Sequence, residues 1–186
     1  MLLSANVFAN DIYIDQSGDA STVNVLQDGT GNTIGDSTVP LYIGGGANTV
    51  DIQQKGSSNS LEATVNGAAT NVTIDTTGSN NTQSINCGSS SSASCSGSTI
   101  TQTVSGDSNT VTQNLGTGAN HTSNINITGD TNAVTHTSTS TGTTSADIAV
   151  SGNTNTVSVT QAGMATQSVT VNSTGNNNAI TINQHD

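Results

Sequence analysis

Apolar and polar residues alternate along this chain in short runs, and the runs recur. Ile12, Ile14 and Gln16 are interleaved with Asp11, Tyr13 and Asp15. The same alternation returns in Leu61, Ala63, Val65; in Val111, Gln113, Leu115; in Val157, Val159, Gln161; and in Ile180, Ile182, Gln184. A period of two is the mark of a strand that turns one face to a core and the other to water. A second set of runs behaves alike: Val23, Val25, Gln27; Val50, Ile52, Gln54; Val72, Ile74, Thr76; and Val169, Val171, Ser173.

The link between the two sets defines the register. Runs of the second set lead into Gly29, Gly56, Gly78, Gly106, Gly129, Gly152 and Gly175. Three residues later Asn32, Asn59, Asn81, Asn109, Asn132, Asn155 and Asn178 open runs of the first set, and Asn10 opens one without a glycine. Successive asparagines lie 22, 27, 22, 28, 23, 23 and 23 residues apart, and a period in the twenties is the signature of a solenoid. Each repeat therefore reads as strand a, a Gly-x-x-Asn arc, strand b and a second arc. The predicted fold is all-β: a β-solenoid, of either hand, with about seven two-strand rungs, two facing parallel sheets and amyloid-like stacking.

Composition changes the picture only through this repeat. A chain of 186 residues with 30% hydrophobic and 2% aromatic residues would otherwise read as disordered. A solenoid needs only a thin interior, but one rung buries too little to offset the entropy of ordering it, so stability belongs to the array. Twelve acids oppose the single basic residue, Lys55, for a net charge of −11. That balance leaves no counterion-release route to nucleic acid and no basic patch for an anionic membrane. Eleven acids fall at outward or arc positions in the register, which reads as a solvated face; Asp36 is the one predicted to point inward.

The pattern is interrupted in three places. Residues 1–9 read as the end of a secretory signal, with Val7 and Ala9 at the cleavage positions. The alternative is an extra strand with Met1, Leu3 and Ala5 inward, which would set Val7 where other rungs have glycine. Residues 10–186 form one repeat domain, irregular near 35–46 and 87–97. In the first irregular stretch Pro40 cannot donate to a ladder, so Leu41-Tyr42-Ile43 is expected to be bulged or looped out. In the second, Cys87 and Cys95 flank a serine-rich loop, which suggests a local disulfide and an oxidising compartment, against the alternative of two free thiols. His121, His136 and His185 are scattered, and only His136 falls at an inward offset.

Chemistry-bearing motifs are sparse. There is no nucleophile elbow, phosphate loop or metal-ligand cluster, so neither catalytic residues, metal nor cofactor is expected. Asp19, Asp107 and Asp130 sit in arcs where aspartate usually serves turn geometry rather than calcium. What the pattern does place on one line are inward amides able to stack rung on rung, as in cross-β assemblies: Asn10, Asn32, Asn59, Asn81, Asn109, Asn132, Asn155 and Asn178, with Gln16, Gln27, Gln54, Gln161 and Gln184.

These motifs resemble curlin, the repeat family of bacterial curli fibres. Gln27-Asp28-Gly29-Thr30-Gly31-Asn32 and Gln54-Lys55-Gly56-Ser57-Ser58-Asn59 match the first part of the family's rung, and Asn10 to Gln16, Asn155 to Gln161 and Asn178 to Gln184 match the second. Thr76, Val104, Ile127, Val150 and Ser173 depart from it by replacing the first glutamine. The resemblance implies a secreted subunit that polymerises head to tail into an extracellular, cell-surface fibre of the biofilm matrix. It also implies a nucleator subunit and an outer-membrane secretion machinery as partners. Two alternatives remain from the residues themselves. The outward column Thr82, Thr110, Ala133, Thr156, Ala179 and its neighbour Ser84, Thr112, Thr135, Ser158, Thr181 form a Thr/Ser face similar to that of ice-binding solenoids, and a monomeric adhesin stalk would use the same fold.

Overall fold

The computed structural model describes residues 9–88, 95–116 and 118–186. Strands and tight arcs account for nearly all of it. The first strands are β1 (Asp11–Ile12), β2 (Ile14–Ser17), β3 (Thr22–Thr30), β4 (Thr33–Ile34), β5 (Leu41–Gly44), β6 (Thr49–Ser57), β7 (Ser60–Asn66), β8 (Asn71–Thr77) and β9 (Thr82–Cys87). They are followed by β10 (Thr99–Ser105), β11 (Thr110–Leu115), β12 (Thr122–Thr128), β13 (Ala133–Ser138), β14 (Thr144–Ser151), β15 (Thr156–Ala162), β16 (Gln167–Thr174) and β17 (Ala179–His185).

The strands form two parallel sheets. One runs β3-β6-β8-β10-β12-β14-β16, and the other β1-β4-β7-β9-β11-β13-β15-β17, with β5 joining β2 to β7. Every pairing sets a strand on its counterpart one turn later, as in Ile100 beside Ser123 and Val111 beside Val134. The fold is thus a β-solenoid of about seven turns.

Inward columns decide where the core lies. Val50, Val72 and Ile100 stack on one sheet and Leu61 and Val65 on the other, all buried. The apolar interior falls into two clusters, one from Ile34 to Ile100 and Leu115, the other from Val104 and Val111 to Val169 and Val171. Between them the inward positions turn polar: Gln102, Gln113, Ser123 and His136 are all buried. At the first rung Ile12 and Ile14 keep inward register but stay 47% and 40% exposed.

Two expectations need correction. Leu41-Tyr42-Ile43 is not looped out: β5 lies in the sheet, with Ile14 beside Leu41 and Val65 beside Ile43, and both apolar residues are fully buried. The excursion is 35–40, immediately before it. Asp36, expected inward, is exposed there. Its carboxylate accepts from the Thr38 hydroxyl and from the backbone N–H groups of Thr38 and Val39. Those bonds, the Thr38 hydroxyl first, hold its pKa below the ordinary carboxylate value. The offset count failed because the strand ends at Ile34, so later offsets no longer mark a face. The reading of residues 1–9 lies, apart from Ala9, outside the described residues.

Candidate functional site: the asparagine spine

Each Gly-x-x-Asn arc carries two constraints that interlock. The Asn side chain of one rung donates through Nδ2 to the glycine carbonyl of the next: Asn59 to Gly78, Asn81 to Gly106, Asn109 to Gly129, Asn132 to Gly152 and Asn155 to Gly175, all at 2.8 Å. That carbonyl sits directly over the glycine below. A Cβ on Gly29, Gly56 or Gly129 would overlap the oxygen of the next glycine, and φ there is +117° to +121°. Glycine is required by the close approach as much as by the dihedral.

The asparagines also bond to one another. Oδ1 of each accepts the backbone N–H of the next, from Asn10–Asn32 to Asn155–Asn178, at 2.9–3.1 Å. From Asn59 to Asn155, Nδ2 donates a second bond, to the Oδ1 below, at 3.0–3.1 Å. Asn32 to Asn155 are essentially fully buried. Every donor and acceptor of a mid-stack amide is thereby used, the condition under which a buried polar group is tolerated.

A second ladder runs along the outside of the same arcs with opposite polarity. The backbone N–H groups of Ser79, Asp107, Asp130 and Asn153 donate to the side-chain oxygens of Asp107, Asp130, Asn153 and Asn176 in the rung above, at 2.7–2.8 Å. Asp107 and Asp130 therefore act as rung-to-rung acceptors. Between the two ladders sits a residue with φ near +58°: Ser58, Asn80, Ser108, Thr131, Thr154 and Asn177.

The glutamines behave differently from the expected axial ladder. Gln27 donates to Gln54 at 2.8 Å and Gln161 to Gln184 at 2.9 Å, but Gln16 pairs in register with Ile43 and has no amide beside it. Midway, amides bond across the core: Gln102 to Gln113 at 2.7 Å and the Thr76 hydroxyl to Gln83 at 2.9 Å. Their axial neighbours are mostly apolar, with Val104 above Thr76, Ile74 and Ile125 on either side of Gln102, and Leu61 and Val111 on either side of Gln83, so these groups find partners on the facing sheet.

The opposite corner holds a third column that the sequence pattern did not reveal, comprising Ser21, Asn48, Thr70, Ser98, His121 and Thr144. Asn48 Oδ1 accepts the Thr70 N–H at 3.0 Å, Ser98 Oγ the His121 N–H at 3.0 Å, and His121 Nδ1 the Thr144 N–H at 3.3 Å. His121 is consequently as buried as His136, which corrects the expectation that only His136 points inward. A short side chain with an acceptor at the γ or δ position serves this corner, so no single residue type announces it; the polar residue recurring just before each strand a was the one signal it left.

Two local features complete the map. Cys87 and Cys95 are joined by a disulfide, both buried, with Cα atoms 5.3 Å apart. Beside the 35–40 excursion a cleft of about 300 Å³ is lined by Asp11, Tyr13, Asp36, Val39 and Glu62. Among the described residues, no group of three or more His, Cys, Asp or Glu is placed to share a metal ion, and no helix is long and apolar enough to cross a membrane. Compared with protein-family models, with curated proteins and with solved structures, the chain matches none.

Proposed function

We propose that this protein is a structural subunit that self-assembles, rung on rung, into an extracellular fibre resembling curli. The observation that carries the reading is the unbroken asparagine spine. Each rung offers the next the same Oδ1 acceptor, the same Nδ2 donor and the same two strand edges, so the interface inside one chain is also a template for another copy. In the last rung described, β16 and β17 have unpaired outer edges and Asn178 lacks the upper partner that its counterparts possess. At the other end, half-exposed Ile12 and Ile14 hold inward positions that a stacked copy would help to cover.

The acidic outer surface favours axial over lateral contact, because side-by-side copies at a net charge of −11 repel. Secretion to the cell surface, with a nucleating subunit and an outer-membrane export apparatus, belongs to the same reading, and the buried disulfide is consistent with an oxidising compartment. The test is incubation of the chain at neutral pH, followed by thioflavin T fluorescence and electron microscopy. Unbranched fibres whose growth is accelerated by preformed seeds are expected. Folded monomers persisting at high concentration would overturn the proposal.

One observation favours a second reading. From β9 to β17 the outer face of the larger sheet bears Thr82, Ser84, Thr110, Thr112, Thr135 and their neighbours, with no Asp, Glu, Lys or Arg among them, in parallel in-register columns. Such a face suits an ordered water surface, and thermal hysteresis of a monomeric solution would distinguish it.

A further inference from the structure

The rung above Gln102 and Gln113 contains two buried imidazoles. His136, on β13, lies between Ser123 Oγ, 2.9 Å from Nδ1, and Gln161 Oε1, 3.1 Å from Nε2. Gln161 spends its amide protons on Gln184 Oε1 and the Ser145 carbonyl, so its oxygen accepts from His136 Nε2 and leaves Nδ1 to accept from Ser123. His121, in the arc before β12, accepts the Thr144 N–H at Nδ1, which also lies 2.8 Å from the Thr144 hydroxyl, while Nε2 lies against Gly118. Both rings are held neutral. A proton on Nδ1 of His121 would face the Thr144 N–H, donor against donor.

Among the described residues, no anion is at hand to compensate a charge. The elements packed about the two rings, β10, β11, β12, β13 and β15, contain no acid, and on β14 the single acid, Asp147, sits on the exposed outer face, bonded to Asn124 Nδ2 at 3.0 Å. Asp107 and Asp130 lie in the outer ladder of the other corner. Among the described residues, His121 Nε2 in this rung, and Gln102 Oε1 and Gln113 Nε2 one rung below His136, are buried without a hydrogen-bond partner. The first hydrophobic cluster ends one rung below, at Ile100 and Leu115, and the apolar residues of this rung, Ile125, Ile127 and Val134, pack with the second.

We propose that the β12–β13 rung is an acid-sensitive layer, at which protonation of His136 and His121 opens the solenoid core before the rungs on either side. Burial lowers the pKa of His136 from 6.5 to about 4, opposed by the Gln161 bond and assisted by the nearby His121; burial likewise lowers that of His121, opposed by Gly118. A histidine whose pKa is lower folded than unfolded contributes stability fully above pH 6.5 and loses it as the pH falls toward the folded value. Between those limits each such group raises the opening constant by about tenfold per pH unit.

The test is hydrogen exchange on the full chain at pH 7, 6 and 5, corrected for intrinsic exchange rates, a range in which ordinary carboxylates stay largely ionised. Protection of β12, β13 and β14 should fall about tenfold or more per unit below pH 6.5, while β6, β7 and β8 keep theirs. His136→Gln with His121→Asn, residue types that hold the same columns at Gln113 and Asn48, should abolish that slope and leave protection at pH 7 near wild type. Loss of protection spread evenly over all strands, no change at all, or an unchanged slope in the double variant would each refute the proposal. The outcome does not depend on whether copies assemble.

Discussion

Alanine at Asn132 strands several groups at once. The N–H and Nδ2 of Asn155 lose their acceptor and the Gly152 carbonyl loses its donor, all inside a buried ladder. At about 1–3 kcal/mol for each unsatisfied buried group, the expected loss is about 3 kcal/mol or more, read from the denaturant midpoint. The same change at Asn10, where the ladder is partly exposed and fewer bonds are made, should cost about 1 kcal/mol or less. Thr154 presents the opposite case, a β-branched residue at φ +59° with its side chain exposed. Thr154→Asn, the residue type found at this position in Asn80 and Asn177, should stabilise the chain by about 0.5–1 kcal/mol, measured by the same denaturation. The buried asparagines and their glycines were legible in the sequence because one residue type alone meets each demand. The left-handed positions were not, since Ser, Thr, Asn and Gly all occupy them and the neighbouring ladders impose the dihedral.

At the scale of strands and arcs, alternation located both sheets, and Pro40 rightly marked an irregular rung. It misplaced the irregularity, because Leu41 and Ile43 continue the inward columns of Ile14 and Val65 and only the six residues before them leave the sheet. Replacing residues 35–40 by a single threonine would shorten the Asn32–Asn59 spacing from 27 to the 22 seen on either side of it. Ile34 and Leu41 would then be joined as Ile12 and Ile14 are through Tyr13. The variant should keep its strand content by circular dichroism with an unchanged or higher melting temperature, and a large loss of strand signal would contradict the pairing of β5 with β2 and β7. The corner containing Ser21, Asn48, Thr70, Ser98, His121 and Thr144 was hidden in the sequence because its task, accepting one backbone N–H, is met by hydroxyl, amide and imidazole alike. That tolerance is also what admits a titrating ring into the core at His121.

For the whole molecule, stability is distributed along a one-dimensional stack, so what holds one rung to the next is also what could hold one copy to the next. The solenoid was legible from the repeat alone. The partition of its core was not, because Gln102, Gln113 and His136 look like ordinary inward amides and rings until their cross-sheet partners are known. Axial self-complementarity is probed by placing an inward charge on the last rung described, Ile182→Lys, and following seeded growth by electron microscopy and thioflavin T. Ile182 is half-buried at the edge of the second cluster, and an inward lysine on an edge strand blocks further pairing. The wild-type chain should extend from seeds, while the variant, folded by circular dichroism, should neither elongate them nor seed others. Fibres growing from the variant at the wild-type rate, or a wild-type chain that remains monomeric in the presence of seeds, would contradict axial self-complementarity.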